Sequence, residues 1–285
     1  MRWMADDSVF DAAAAREATL ARFARLVGRP EPDVDLAFGA LLIAGLDRPI
    51  DPQPWIDTLD DLANRVRLRL DRGDDVDRSV DVLHDTLYRE LGFHMPGPLD
   101  AIRPRHSWLD RVLITRTGLP ILLAIVELEV AWRLGLDLWG IGFPGHFLIG
   151  GPEGLVIDPA DGGRRLTRDD CQAILRRSVG EQILLHAGML RPADRREILA
   201  RVLRNLRSVR LGARDWPAAL AVIELLAVIE PTRPDHVRDR GLLLGRMGRF
   251  SASLVELERY LADRPDASDV DDVRQVMGIF GGRRN

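Results

Sequence analysis

The chain has 285 residues, of which 46% are hydrophobic and 29% charged, the balance of a soluble globular protein with room for one large domain or two ordinary ones. Its 44 acidic and 40 basic residues give a net charge of -4, so the composition indicates neither a nucleic-acid-binding protein nor a polyacidic tail. Only a local segment could have such a charge excess. Every basic residue is arginine, which excludes a lysine Schiff base and a Walker-type phosphate loop, since both need a lysine.

Four helices are predicted in the N-terminal third of the chain. Ser8 is expected to cap the first, which stops at Gly28, and the apolar run 36–46 predicts the second. The third begins around Pro52, and the fourth runs from about residue 75 to 91. Both of these carry apolar residues every three or four positions, the spacing of a stripe that faces a core.

The middle of the chain changes from helices to strands. Ser107 is expected to cap a short helix that Gly118 breaks, and a more apolar helix follows from Pro120 through Leu134. Glycine and proline turns then separate three short apolar segments, which predict strands: LDLWGIGF, HFLIG and GLVID. Helices followed by a small antiparallel sheet favour an α+β domain over alternating βαβ units.

The last part of the chain is helical again and repeats itself. Four pairs of matching residues are each 34 positions apart, which is the tetratricopeptide period: Trp216 and Phe250, Leu220 and Leu254, Glu224 and Glu258, Pro231 and Pro265. The alternative is an unrelated pair of helical hairpins that match by chance. We therefore predict two domains, residues 1–195 and a tetratricopeptide region at 196–285 with two repeats and a C-terminal segment. Two repeats are fewer than a free-standing array usually needs, so packing on the first domain or a cap is expected.

His146 in FPGHFLIG and Asp158 in VIDPADGG are the candidate catalytic side chains. Each also has a purely structural interpretation, because a lone histidine is more often a satisfied core or turn residue and an aspartate before proline is an ordinary turn former. Their order along the chain distinguishes them. An apolar helix opened by GLP precedes a strand at His146, and the next strand ends at Asp158.

This run, RTGLPILLAI through VIDPADGG, resembles the transglutaminase-like core of cysteine hydrolases. Joined to the repeats, which include PDHVRDRGLLLGRMGRF, it resembles the SirB-type family of bacterial proteins over about residues 35–265. The resemblance implies a catalytic triad with a cysteine at the helix N-terminus, His146 as base and Asp158 as the carboxylate that orients it. It also implies that His146 and Asp158 lie on neighbouring strands, with the free imidazole nitrogen toward the helix that begins near Pro120.

The nucleophile of this triad is missing. The cysteine position falls at or near Leu122, so GLPILL supplies no thiol. Cys171, in a helix that Thr167 is expected to cap, is weighed as a substitute, but a lone helical cysteine is usually a buried apolar group. The hydroxyls near the core helix lack a matched base: Ser107, Thr115 and Thr117. We therefore predict a relic histidine-aspartate pair in a non-catalytic binding or scaffold protein. The alternative is an amidase or acyl-transfer hydrolase with an unrecognised nucleophile.

Metals, cofactors and membranes are not expected. Cys171 is the only cysteine, which excludes intrachain disulfides and cysteine-rich zinc sites, and the six histidines lack metal-binding spacing. The opening MRWMADDSVF has no apolar signal segment, and the uncharged stretch 138–152 is too short and too rich in glycine and proline for a membrane helix. We expect a cytoplasmic protein that binds neither nucleic acid nor membrane and needs no cofactor.

The expected partner is a protein or peptide in the concave groove of the repeats. Four arginines of the inner helices would bind its carboxylates: Arg204, Arg207, Arg238 and Arg240. This predicts a preference for acidic sequences. This prediction fails if the arginines are locked in intramolecular salt bridges beneath the N-terminal domain. The oligomeric state is left open.

Overall fold

The computed structural model describes residues 7–31, 33–97 and 99–283. These residues form an α+β structure of helices and one small antiparallel sheet, which confirms the predicted fold class. The helices of the first two thirds are α1 (Asp7–Val27), α2 (Leu36–Ala44), α3 (Gln53–Arg67), α4 (Val76–His84), α5 (Leu109–Thr115), α6 (Pro120–Arg133) and α7 (Arg168–Val179). The remaining helices are α8 (Arg195–Gly212), α9 (Trp216–Ile229), α10 (Asp235–Arg246), α11 (Phe250–Asp263) and α12 (Val270–Gly281).

Four short strands form the sheet: β1 (Trp139–Ile141), β2 (Leu148–Gly150), β3 (Val156–Asp158) and β4 (Arg164–Arg165). Each strand pairs antiparallel with the next in chain order. Three of them were predicted from their apolar segments. The fourth, the exposed edge strand β4, was not, because two arginines in a row carry no strand signal.

The chain divides into two compact units by its contacts. The core unit comprises residues 29–44 and 50–202, and the repeat unit comprises residues 45–49, those from 203 onward and the described residues through Gly28. Helix α1 belongs to the repeat unit because it packs on α9, where Arg16 donates to Glu224 at 2.8 Å. The division into two domains between residues 195 and 196 remains a prediction.

Helix α6 is the centre of the core unit. Its side chains from Ile121 to Ala131 are all buried, so it is apolar on every face except at Glu127 and Glu129. It packs against α3, α5 and β2, and it also contacts the 3-10 turn Pro159–Asp161 that follows β3. An all-round apolar helix of this kind is stable only when surrounded by other elements.

Three predicted caps have different outcomes. Helix α1 already includes Asp7, so the predicted cap residue Ser8 lies inside the helix. Ser107 does not cap α5 either, because Trp108 takes the extended cap conformation and the buried Ser107 hydroxyl has no partner within the described residues. Thr167 does cap α7, accepting from the backbone of Asp170. Helix α5 also ends earlier than predicted, at the left-handed Arg116 rather than at Gly118.

The 34-residue spacing corresponds to equivalent helix positions in the repeat unit. Trp216 and Phe250 are the first residues of α9 and α11. The helices α10 and α11 cross closely, since a Cβ on Gly241 would lie 2.8 Å from Leu257 and the Ser253 hydroxyl donates to the Gly241 carbonyl at 2.7 Å. Helix α12 then packs on α11 as the predicted C-terminal cap of the array.

Candidate functional site

His146 and Asp158 are in direct hydrogen-bond contact. Nε2 of His146 lies 2.9 Å from Oδ1 of Asp158, and the two side chains are 22% and 8% exposed. Asp158 is the last residue of β3, and His146 stands two residues before its neighbour β2. The strand pairing therefore brings the two side chains together as the resemblance implied, while their chemical role remains a prediction.

The tight turn that carries His146 is built for a fixed backbone. The His146 amide donates to the Phe143 carbonyl at 3.1 Å, and Gly145 has a φ of +69°, which favours glycine. A Cβ on Gly145 would also lie 2.4 Å from the Cβ of Ser178. Glycine at position 145 is thus required by space as well as by conformation.

Arg201 holds this turn from the side, and sequence analysis did not identify it. Its guanidinium donates to the Phe143 carbonyl at 3.0 Å and to the His146 carbonyl at 2.5 Å, and it lies over the Phe147 ring at 5.8 Å. The residue comes from α8, far along the chain. No local sequence signal links it to the turn.

Asp158 is oriented from its own turn. Its Oδ1 accepts the Ala160 amide at 2.9 Å as well as the His146 ring. Asp-Pro-Ala-Asp forms a 3-10 turn in which the aspartate caps the following backbone. The carboxylate is thereby fixed before any ligand arrives.

Apolar side chains occupy the position expected for a nucleophile, in the first turn of α6. The first turn of α6 begins at Pro120 and continues with Ile121, Leu122 and Leu123, all three fully or almost fully buried. Within the described residues, neither ring nitrogen of His146 has a hydroxyl or thiol partner. That Leu122 itself faces His146 remains a prediction.

None of the substitutes weighed from sequence makes a hydrogen bond to His146 within the described residues. Cys171 is 1% exposed in an apolar cluster with Phe143 and Leu175, and burial raises the pKa of its thiol. The Ser107 hydroxyl is buried without a partner in the described chain. Thr115 donates to the Arg111 carbonyl, and Thr117 meets His94 instead.

A second histidine-carboxylate pair lies in the core unit, and sequence analysis missed it. Glu127 of α6 is fully buried, with Oε1 at 2.8 Å from Nε2 of His84 and Oε2 accepting from the Tyr88 hydroxyl. A usable signal was present: a glutamate inside the apolar run PILLAIVELEV must find partners when buried. His84 and Tyr88 both line a cavity of about 740 Å³.

The four arginines predicted to bind a peptide are all ion-paired inside the repeat unit. Arg204 pairs with Glu230 (2.6 Å), Arg207 with Asp239 (2.9 Å), Arg238 with Asp239 (2.8 Å) and Asp269 (2.6 Å), and Arg240 with Glu256 (3.0 Å). A ligand carboxylate would have to share each guanidinium with an intramolecular carboxylate or displace that carboxylate. Peptide binding by these arginines remains a prediction with this added cost.

The described part of the chain contains neither a cluster of metal-binding side chains nor a membrane-spanning helix. No group of three or more histidine, cysteine, aspartate or glutamate side chains is arranged to hold a metal ion there. Among those same residues, every helix is too short or too polar to cross a bilayer.

Comparison with known families gives two matches. Residues 53–204 match the transglutaminase-like superfamily, and residues 206–278 match the tetratricopeptide repeat. No solved structure matches the chain significantly.

Several bacterial proteins are similar to the chain. A UPF0162 protein of Xylella fastidiosa strain Temecula1 is 41% identical over 195 residues, which cover 66% of this chain and 69% of that protein. A UPF0162 protein of Pseudomonas aeruginosa is 35% identical over 178 residues, covering 62% and 66%. Protein SirB1 of Salmonella typhimurium is 29% identical over 163 residues, covering 56% and 60%.

Proposed function

Because the chain belongs to the transglutaminase-like superfamily and joins that core to tetratricopeptide repeats, we propose that it is a non-catalytic binding protein of the bacterial cytoplasm. Its repeats hold a protein or peptide, and its core is a degenerate hydrolase. The UPF0162 and SirB1 relatives share the family.

The observation that supports the loss of catalysis is an incomplete triad. In an acyl-transfer site the histidine takes a proton from a nucleophile on one nitrogen while a carboxylate orients the other. Here the carboxylate side is intact, at 2.9 Å, but the opposite nitrogen of His146 has no hydroxyl or thiol partner within the described residues. Without a nucleophile the pair can orient or bind but cannot form an acyl intermediate.

The repeat family supports the binding role, since tetratricopeptide arrays generally serve protein-protein interaction. Among the four inner-helix arginines, Arg240 has the most exposed side chain, at 44%, and within the described part of the chain its one ion-pair partner is Glu256. Arg238 is held by several carboxylates and is less available. We therefore assign the preference for acidic ligands mainly to Arg240.

Peptide binding can be tested by fluorescence polarisation of the full chain with labelled acidic and basic peptide pools of equal length. The acidic pool should bind more tightly, and Arg240→Gln should weaken it about three- to tenfold, because one charge-assisted hydrogen bond is lost. Arg259→Gln is the control, since Arg259 is exposed on α11 with no ion pair among the described residues. Equal binding of both pools, or equal loss in both variants, would refute the proposed preference.

One observation favours the alternative of an amidase or acyl-transfer enzyme. The exposed Ser178 of α7 packs against Gly145, so it lies beside the turn that carries His146. It makes no hydrogen bond to His146 within the described chain. The enzyme alternative therefore needs a movement that brings Ser178 or another nucleophile to the imidazole.

A further inference from the structure

The second histidine-carboxylate pair forms a buried cluster of Glu127, His84 and Tyr88. Glu127 is fully buried, and its two carboxylate oxygens face the His84 ring and the Tyr88 hydroxyl. Burial and the neighbouring Glu127 raise the pKa of Tyr88 well above its ordinary value, so the hydroxyl remains a donor. Both carboxylate oxygens are therefore satisfied.

The His84 ring is held on three sides. Glu127 fixes Nε2, the Tyr88 ring meets it edge-to-face with centroids 5.7 Å apart, and Gly163 lies against its face. A Cβ on Gly163 would be 2.7 Å from the imidazole. With Nε2 engaged, Nδ1 has no hydrogen-bond partner among the described residues and belongs to a ring that lines the cavity.

The charge on the cavity wall favours an anion. Four arginines line the cavity, and one of them, Arg78, makes no ion pair within the described chain. Its backbone amide donates to the cap of α4, and its guanidinium remains available to a ligand. The imidazoles of His84 and His94 add further potential donors. Each acidic residue of the wall is already neutralised by an arginine: Asp81 by Arg165 (3.0 Å), Asp85 by Arg89 (2.6 Å) and Asp161 by Arg164 (2.6 Å).

We propose that this cavity binds the oxyanion group, phosphate or carboxylate, of a small molecule through Arg78 and His84. The oxyanion accepts hydrogen bonds from the Arg78 guanidinium and from a protonated Nδ1 of His84. Glu127, on the opposite nitrogen, balances the charge of that imidazolium, so Glu127 and Tyr88 are positioning residues. The volume of about 740 Å³ is that of a metabolite site rather than of a bare ion.

Two features argue against a purely structural cluster. A buried ionic group is often no more stabilising than an apolar residue of the same volume, so a glutamate in the middle of α6 needs another reason. Tyr88 also lies in a π-helical turn, Asp85–Glu90, that continues α4, and such turns are frequent at functional sites. This inference does not depend on the repeats or on the His146 pair.

The test is an NMR titration of the full chain that follows the imidazole signals at pH 7 and constant ionic strength. The His84 signal is assigned by its loss in His84→Gln. Inorganic phosphate and acetate are added in separate experiments, and at least one should shift the His84 signal in a saturable way. The arm that saturates at the lower concentration identifies the preferred oxyanion.

Two arginine variants distinguish a built site from general ionic attraction. Arg78→Gln should weaken the preferred anion at least about tenfold, because a charge-assisted hydrogen bond is lost. Arg177→Gln, exposed on α7 and outside the cavity wall, should not. No saturable shift with either anion, or equal weakening in both variants, would overturn the proposal.

The positioning role of Glu127 has its own readout. Glu127→Gln keeps the shape of the side chain but removes the charge that balances the imidazolium, so anion affinity should fall by about tenfold in protein that remains folded by circular dichroism. A variant that only lowers the free energy of unfolding, with unchanged anion affinity, would show that Glu127 is structural.

Discussion

At the residue scale, a single carboxylate fixes each of the two histidines. Asp158 comes from a turn that orients its oxygen toward His146, whereas Glu127 comes from the middle of a buried helix and holds His84 together with Tyr88. The turns that support them both rely on glycine. At Gly145 and Gly163 a side chain would collide with a neighbour, so neither position tolerates a Cβ without movement.

We predict that Gly163→Ala is markedly more destabilising than Gly162→Ala. Both glycines have positive φ, +78° and +62°, so alanine costs about 1 kcal/mol at either position. Only at Gly163 does the new Cβ meet the His84 ring, while nothing lies within 4 Å at Gly162, which adds about 1–3 kcal/mol to the first variant. Urea unfolding of the two variants measures the difference, and equal losses would contradict the placement of His84.

At the element scale, the helices were predictable because their apolar spacing repeats many times, while their ends depend on single residues. Thr167 was identified as a cap from its position and does cap α7. Ser107 was identified in the same way and does not, because the chain enters α5 through a 3-10 turn that places Trp108 at the cap. Local sequence does not distinguish these two cases.

The cap of α7 predicts a defined dependence of stability on pH. Hydrogen bonds from the side chain and backbone of Thr167 lower the pKa of Asp170 to about 2, below its ordinary 3.8. A lowered pKa in the folded state means that the contribution is complete above the ordinary pKa and is lost as the pH falls toward 2. The free energy of unfolding should therefore be higher for wild type than for Asp170→Asn at pH 6, and this difference should be smaller at pH 3.

The control for this prediction is Asp169→Asn. It removes the same charge from the same helical turn, but Asp169 makes no hydrogen bond within the described residues. Urea unfolding at pH 6, 4 and 3 should show the pH-dependent difference for Asp170→Asn only. The same pH profile in both variants would mean that the helix dipole, not the cap, is responsible.

At the scale of the whole molecule, order along the chain carried most of the prediction. Helices, then a small sheet, then a 34-residue repeat were readable from spacing and turn residues, and the pairing of β2 with β3 brings His146 to Asp158. The sequence could indicate that the buried Glu127 needs partners, but it could not identify them. The partners of Arg201 and Glu127 could not be predicted because they come from segments far away in the sequence. The ion-pair partners of the repeat arginines, such as Asp239 for Arg207 and Asp269 for Arg238, could not be predicted for the same reason.

The two-domain assignment, with a boundary between residues 195 and 196, remains a proposal. Contacts instead group the described residues through Gly28 with the repeat unit, because α1 packs on α9. Two repeats bury little apolar surface at their ends, so α1 and α12 cover the faces that further repeats would otherwise cover. The family matches follow similarity in sequence, whereas the two units follow packing, so their boundaries differ.

The central claim, a transglutaminase-like core without catalysis, is tested most directly by ammonia release from a glutamine-containing peptide. The chain has no lysine, so the acyl acceptors in this assay are water, the added amine and N-terminal amino groups. We predict that purified wild-type protein releases no more ammonia than His146→Ala, with or without added amine, because no hydroxyl or thiol of the described residues hydrogen-bonds to the imidazole. Turnover by wild type that is lost in His146→Ala, and also in either Ser178→Ala or Cys171→Ala, would contradict the claim and establish the enzyme alternative.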